Sequence, residues 1–431
     1  MINRFWFLAY NFILLPTLVV IVNFLAIYKK NIRENLEKRS GQWKRMAYAI
    51  SFREWQKPLV WLHVASAGEF LQAQPVIKKC VKEGAECLLT YSSINAYRWI
   101  ERSQEDKNSG LLLTEFLPLD TIWNARRLIG LFQPSRIVWV SYDLWPNLIW
   151  EAHRQKIPQS LISAIVHHNS LRTNNLLGRS FYKSIYKCME HILTVSEIDR
   201  QRIITAIPEH HKVEVMGDTR CDSVLERRNS IEIPKLPKTL ENRFVFVAGS
   251  TWKPDEKCIF PALKEAIHEF PDLLLIIAPH EPSEKNLIFS EKYFDNIPLL
   301  RWSKISTGSK KDTRIILIDR VGILAGLYQL ANISYVGGAF TTGVHNILEP
   351  IAMGSTVTFG PKYSNSIEAI QLIEKKLVKT VKNTLDFKRL LFHYLKNRDS
   401  CNELGQKSKL FIESQEGATE LSVPLLIKDL L

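Results

Sequence analysis

Leu59-Val60-Trp61-Leu62-His63-Val64-Ala65, a mostly apolar run fit for a buried strand, turns at Ser66-Ala67-Gly68-Glu69 into an amphipathic stretch reaching about Glu83. A short strand that ends in a polar turn and feeds a helix is the opening of a parallel α/β unit. The second half of the chain repeats the arrangement. Phe244–Ala248 is a β-type run, Gly249-Ser250-Thr251 is a tight turn, and Pro254-Asp255-Glu256 suits the first turn of a helix. Proline tolerates an early helical position, and acids favour the positive end. Further strands are predicted at Cys87–Tyr91, Ile137–Val140, Gln159–Ile165 and His191–Val195, then at Leu273–Ala278, Ile315–Ile318 and Ile333–Val336. Between the halves, residues 231–238 carry two prolines and alternating lysines and read as a linker. The expected domains are therefore 34–230 and 239–431. Two such units place a cleft between them, and each sheet offers ligand sites at the carboxyl ends of its strands.

At 431 residues and 46% hydrophobic, the chain can bury two cores, and nothing in it is low-complexity. The net charge of +13 suits nucleic acid, anionic lipid or an anionic substrate. The basic residues are spread out with no block of five, and no zinc-finger or ribonucleoprotein motif accompanies them, which argues against nucleic acid. Cys80, Cys87, Cys188, Cys221, Cys258 and Cys401 show no paired or metal-type spacing, as expected of reduced thiols in a cytosolic compartment.

Residues 1–33 form a separate segment. Phe5 to Tyr28 is uncharged and, at about 1.5 Å per residue, long enough to cross a bilayer core of about 30 Å. Asn11, Pro16 and Asn23 interrupt it, so a kinked or half-inserted helix is also open. Only Arg4 precedes the run, whereas Lys29, Lys30, Arg33, Lys38 and Arg39 follow it. That asymmetry favours an uncleaved anchor with the remainder at the cytoplasmic face, near anionic lipid.

No G-x-G-x-x-G fingerprint and no phosphate-binding P-loop is present, so dinucleotide oxidoreductases and P-loop ATPases fit poorly. The richest segment runs from the Ile333–Val336 strand into Gly337-Gly338, past Gly343, to His345-Asn346-Ile347-Leu348-Glu349-Pro350. Paired glycines let the backbone approach a ligand, Asn346 can cap the next helix, and a helix N-terminus accepts phosphate. Glu349 can bond ribose hydroxyls or simply complement the helix dipole. His167 and His168 are adjacent and read as surface or cap residues. The chain lacks any Asp-x-Asp and any metal-ligand cluster, so neither a metal nor another cofactor is expected.

The run from Gly337 to Pro350, with Phe359-Gly360-Pro361, resembles the signature of the 3-deoxy-D-manno-oct-2-ulosonic acid (Kdo) transferases. Four other segments match in order: Ser66-Ala67-Gly68-Glu69, Asp143-Leu144-Trp145-Pro146-Asn147, Ala248-Gly249-Ser250-Thr251, and Asp319 through Gly322 to Tyr328. The likeness covers about residues 35 to 415.

It implies the GT-B fold: two Rossmann-like α/β domains facing a central cleft, with an N-terminal membrane-anchor helix. The last stretch, Ala418–Leu431, would be helical and return to the N-terminal domain. It also implies an inverting, metal-independent transfer of Kdo from CMP-Kdo to the lipid A precursor, with anionic inner-membrane lipid as a further partner. Glu69 would be the general base. Asp143 stands where the family usually has glutamate, one methylene longer. Arg220 stands at a lysine position, where a cation would stabilise the departing phosphate or hold the Kdo carboxylate. Pro279, His280 (an arginine in the family), Val321, Gly322, Ile323 (usually polar there), Asn346, Ile347, Leu348 and Glu349 would bind CMP. The alternatives are a GT-B enzyme or epimerase using a UDP-sugar, and an inactive membrane-bound homologue.

Overall fold

The computed structural model describes residues 4–103, 110–166, 170, 175–207, 212–240, 242–305, 312–364 and 366–430. His167 and His168 lie outside them. The chain divides into two compact units, Met1–Ser223 with Gln415–Leu431, and Val224–Ser414.

The strands of the first unit are β1 (Leu59–Val64), β2 (Glu86–Tyr91), β3 (Leu111–Phe116), β4 (Arg136–Val140), β5 (Gln159–Ala164), β6 (His191–Thr194) and β7 (Val213–Val215). Among the described residues they form one seven-stranded parallel sheet in the order β3-β2-β1-β4-β5-β6-β7. A parallel sheet is covered on both faces, so its strands read as near-continuous apolar runs. Leu59 and Trp61 of β1 pack on one face with Phe132 and Ile149, while Val60, Leu62 and Val64 pack on the other with Phe70 and Val76.

The second unit repeats this with β8 (Phe244–Thr251), β9 (Leu273–Pro279), β10 (Leu299–Arg301), β11 (Ile315–Leu317), β12 (Ile333–Val336), β13 (Thr356–Phe359) and β14 (Lys379–Thr380). Its order is β10-β11-β9-β8-β12-β13-β14, again all parallel. Phe244, Phe246 and Ala248 point to one core and Val245 and Val247 to the other. In both sheets the strand order reverses beside the first strand of the unit, the crevice where doubly wound folds hold ligands.

Each strand expected from the sequence is present to within about a residue except β8, which continues through Gly249-Ser250-Thr251, the expected tight turn. β3, β7, β10, β13 and β14 were not anticipated. β3 sits at a sheet edge and is only partly buried, and β7, β10 and β14 are three residues or fewer. Residues 231–237 carry no regular element before a 3-10 turn at Lys238–Leu240. All six cysteines are buried and unbridged.

Two terminal pieces complete the first unit. The Ala418–Ile427 helix starts after Gly417 (φ 108°), and the Asp222 carboxylate accepts from the Gly417 and Thr419 amides at 2.8 and 2.6 Å. Ala418, Val423 and Leu426 then join Phe70 and Val76 in the core. At the other end, residues 4–28 are helical and long and apolar enough to cross a membrane. A π turn at Tyr10–Leu14 falls just before Pro16, whose missing N–H and ring disrupt regular α-helical bonding. One stripe of this helix docks on the folded unit. Trp6, Leu15 and Ala26 are buried, the Trp6 indole donates to Ser180 Oγ (3.0 Å), and Tyr10 donates to Asp120 (2.9 Å). The Asn11 and Asn147 side-chain amides exchange bonds of 2.9 Å.

Candidate active site

At the carboxyl end of β1, the Ser66 hydroxyl caps the Ala67–Lys82 helix by accepting from the Glu69 amide at 3.3 Å. The Glu69 carboxylate turns back to accept from the Ala65 amide, so Glu69 is buried in the first turn of that helix. Positive helix-end charge and a backbone N–H both favour a carboxylate there.

One turn on, Gln72 donates to Asp218 Oδ1 (3.4 Å), and its carbonyl accepts from Thr219 Oγ1 (2.7 Å). Asp218 in turn grips the Arg220 guanidinium through Nε at 3.0 and 3.1 Å and through a second nitrogen at 2.5 Å. Burial is the largest influence on the Asp218 carboxyl and raises it, but the Arg220 charge and the hydrogen bonds outweigh it and hold the group below its usual range. Asp218 thus ties Arg220 to Gln72, on the same helix as Glu69.

Asp143 belongs to a separate network. After β4, Ser141 takes a left-handed φ of 62°, and Asp143 Oδ2 then accepts from Ser92 Oγ (2.8 Å) and meets His63 Nε2 (3.0 Å). The register of β1 on β2 sets His63 beside Thr90, whose Oγ1 lies 2.9 Å from His63 Nδ1 and also takes the Trp61 indole N–H at 2.9 Å. His63 thereby bridges Thr90 and Asp143, with Nε2 the ring nitrogen that faces the carboxylate. Burial pushes the Asp143 carboxyl up, yet the hydrogen bond and charge from His63, with Trp145 and Ser92, leave it lowered and ionised. Trp145-Pro146-Asn147 is structural. Asn147 is fully buried, and its amide N–H and that of Leu148 cap onto Asp120 at 2.9 and 3.0 Å. Burial raises the Asp120 carboxyl to about 6.

The edge of the second sheet is made of rings, glycines and backbone. Trp252 follows β8, His280 follows β9, and His345 lies in the loop after β12. The Trp252 indole donates to His345 Nε2 at 2.9 Å, which puts the two rings side by side, 6.5 Å apart and 19° from parallel. His280 lies over both, 4.6 Å from Trp252 and 4.5 Å from His345, with its residue exposed to solvent. Burial, with the neighbouring His280, depresses His345 to about 4, so it is neutral and can accept from Trp252.

Asp255 locks this edge. It accepts from the Trp252 amide (2.9 Å), the Gly338 amide (3.0 Å) and the Tyr335 hydroxyl (2.9 Å), and it is fully buried. The two glycines are required by space. A Cβ on Gly337 would lie 2.2 Å from the Ser250 carbonyl oxygen, and Gly338 has φ 94° with the Gly343 carbonyl 2.4 Å from where its Cβ would be.

The remaining nucleotide candidates fall in two places. Pro279, buried, ends β9. Asn346 accepts from the Leu348 amide (3.0 Å) and donates to Glu349 (3.2 Å), which also meets Arg227 at 3.4 Å. Burial raises the Glu349 carboxyl despite Arg227. The helix expected near residue 346 begins at Leu348 and has only five residues, so its dipole is slight. Ile347 and Leu348 point into the core and can offer a ligand only their backbone. Val321 is exposed, while Gly322 and Ile323 line a cavity of about 520 Å³ with Trp302, Arg320 and residues 231–235. Among the described residues, no three His, Cys, Asp or Glu side chains are grouped as metal ligands.

His63, Ser92, Trp252, Asp255 and His345 acquire roles that the sequence reading did not assign. The available signal for His63 was a lone histidine inside an otherwise apolar strand.

Two Rossmann-like units with ligand-ready carboxyl edges define the GT-B fold. Solved chains of this architecture include a glycosyltransferase from Rickettsia africae (14% identity, covering 86% of this chain and 97% of that one, TM-score 0.54). A putative UDP-N-acetylglucosamine 2-epimerase from Listeria monocytogenes (12%, covering 81% and 91%, TM-score 0.55) shares it too, so the fold alone does not decide the chemistry. Residues 34–223 match the family model described as 3-deoxy-D-manno-octulosonic-acid transferase (kdotransferase). The 3-deoxy-D-manno-octulosonic acid transferase of Rickettsia felis is 28% identical over 353 residues, covering 80% of this chain and 73% of that protein. The chain is thus similar to Kdo transferases over most of its length.

Proposed function

We propose that the chain transfers Kdo from CMP-Kdo to a hydroxyl of the lipid A precursor, lipid IVA, with inversion and without a metal ion. The observation that carries this is the edge of the second sheet. The Trp252–His345 floor under an exposed His280 offers a flat surface to a base, beside the Gly337-Gly338 backbone. A nucleoside monophosphate carries a single phosphate, which a side-chain donor such as His280 can meet without a divalent cation.

In the reaction, a hydroxyl oxygen of the acceptor bonds to the anomeric carbon of Kdo as the bond from that carbon to the CMP phosphate oxygen breaks. Glu69 takes the hydroxyl proton. Arg220, steadied by Asp218, balances charge on the sugar carboxylate or the departing phosphate. Asp143, kept ionised by His63 and Ser92, stabilises the electron-poor sugar at the transition state.

The N-terminal helix is the membrane attachment. Its Trp6 and Asn11 bond to the folded unit, which favours a helix held along the bilayer surface over one crossing it. The basic run Lys29, Lys30 and Arg33 supports attachment at an anionic, cytoplasmic face.

Mass spectrometry of the lipid after incubation with CMP-Kdo and lipid IVA tests this. A gain of one or more Kdo units is expected. Unmodified lipid together with turnover of a UDP-sugar would replace the proposal with a UDP-sugar transferase or an epimerase. Inertness toward every donor would indicate an inactive homologue.

A further inference from the structure

The first unit also contains a largely apolar cavity of about 470 Å³, within the range of about 300–1,000 Å³ usual for small-molecule sites. Val19 and Val22 of the N-terminal helix form one wall, Leu36 of the Lys30–Lys38 helix another, and Leu119 and Trp145 of the folded unit the rest. Asn35, Arg39 and Ser92 contribute the polar part of the lining. Arg39 does not leave a bare charge there. It donates to Asn35 Oδ1 (2.9 Å) and to the Ser92 and Leu117 carbonyls, and burial lowers it to about 10.

We propose that this cavity receives one fatty-acyl chain of the phosphorylated lipid acceptor. The identity of that lipid rests on the function proposed above; the acyl assignment rests on three features of the cavity. First, its wall is continuous with a lipid-facing surface. On the same helix Phe12, Val20, Phe24 and Ile27 are each more than half exposed, an apolar area that water does not favour. Second, the helix that carries Leu36 begins with exposed Lys29, Lys30 and Arg33, a cationic approach complementary to a phosphorylated headgroup. Third, the cavity adjoins a site carboxylate. Ser92 lines it and holds Asp143 at 2.8 Å, and Trp145 lines it two residues from Asp143. A chain seated here would bring the sugar end of its lipid toward Asp143.

The test uses full-length protein on phosphatidylcholine vesicles containing phosphatidic acid with a photoactivatable diazirine on one acyl chain. Adducts are expected on Val19, Val22, Leu36 or Trp145, and excess lipid IVA is expected to suppress them. Val22→Trp and Leu36→Trp fill the cavity from opposite walls. Each should remove the adducts and raise KM for lipid IVA about tenfold at unchanged KM for CMP-Kdo, the signature of lost acceptor binding. The Leu36 variant, at a partly exposed position, guards against misfolding of the other. Adducts confined to Phe12, Phe24 and Ile27 overturn the proposal, as do cavity adducts that lipid IVA does not displace, which would mean bulk lipid. Cavity adducts displaced by lipid IVA in a protein that transfers no Kdo would uphold the cavity and remove the transfer reading instead.

Discussion

At the carboxyl edge of the first sheet the working groups are acids, each fastened by a specific donor: Glu69 by the Ala65 amide, Asp143 by His63 and Ser92, Asp218 by Arg220. At the same edge of the second sheet the corresponding acid, Asp255, is fully buried as a strut, and the His280 ring, stacked on His345, reaches the surface. The topology is shared and the chemistry is not. Carboxylates suit moving a proton and steadying positive charge; stacked rings suit holding a base. The two halves of one fold are thus specialised by what their turns carry.

The strongest way to break this contrast is Glu69→Gln. The amide oxygen can still accept from the Ala65 N–H, so the melting temperature should barely move, while kcat should fall about 10²- to 10⁴-fold with loss of the base. Unchanged turnover would reduce Glu69 to a helix cap. On the other edge, Trp252→Ala removes the floor under His280. Calorimetry with CMP should show binding weakened about tenfold or more, the cost of lost base stacking. Binding unaltered by the substitution would move the base elsewhere.

A subtler test asks whether His63 acts through Asp143. His63→Asn cannot reach the carboxylate, so the Asp143 carboxyl should rise and the acid limb of the kcat/KM profile should shift to higher pH. A fall in kcat with an unmoved profile would make His63 purely structural.

The smallest effect is a stability slope. His345 is depressed to about 4 from an ordinary 6.5, so the unfolded chain takes up this proton first. Its contribution is present above about pH 6.5 and is lost as the pH falls toward 4. Thermal unfolding across that window should show a shallower loss in His345→Gln than in the wild type; parallel curves would show that the Trp252–His345 bond does not depend on a neutral imidazole.

Much of the fold and part of the site were legible in consecutive residues. Leu59–Ala65 and Phe244–Ala248 declared buried strands because alternating side chains on both faces must be apolar when helices cover both faces. Gly337-Gly338 declared a sharp backbone bend, and both glycines lie against carbonyls of the chain itself, at Ser250 and Gly343. Other features were hidden. β3 lies at a half-covered edge where its pattern competes weakly with loop, and a five-residue helix after Asn346 cannot be told from a turn by periodicity.

What the sequence determined by itself was the alternation of the principal buried strands with helices, the apolar N-terminal helix and the loops bearing Glu69, Asp143 and Asn346, all of which depend on neighbours within a few residues. Only the tertiary structure decided that His63 meets Asp143 across 80 residues, that Trp252 bonds His345 across 93, and that Asn11 meets Asn147 across 136. Such pairings depend on strand register and crossover geometry. These are set by how whole layers pack, and no local pattern of residues encodes them.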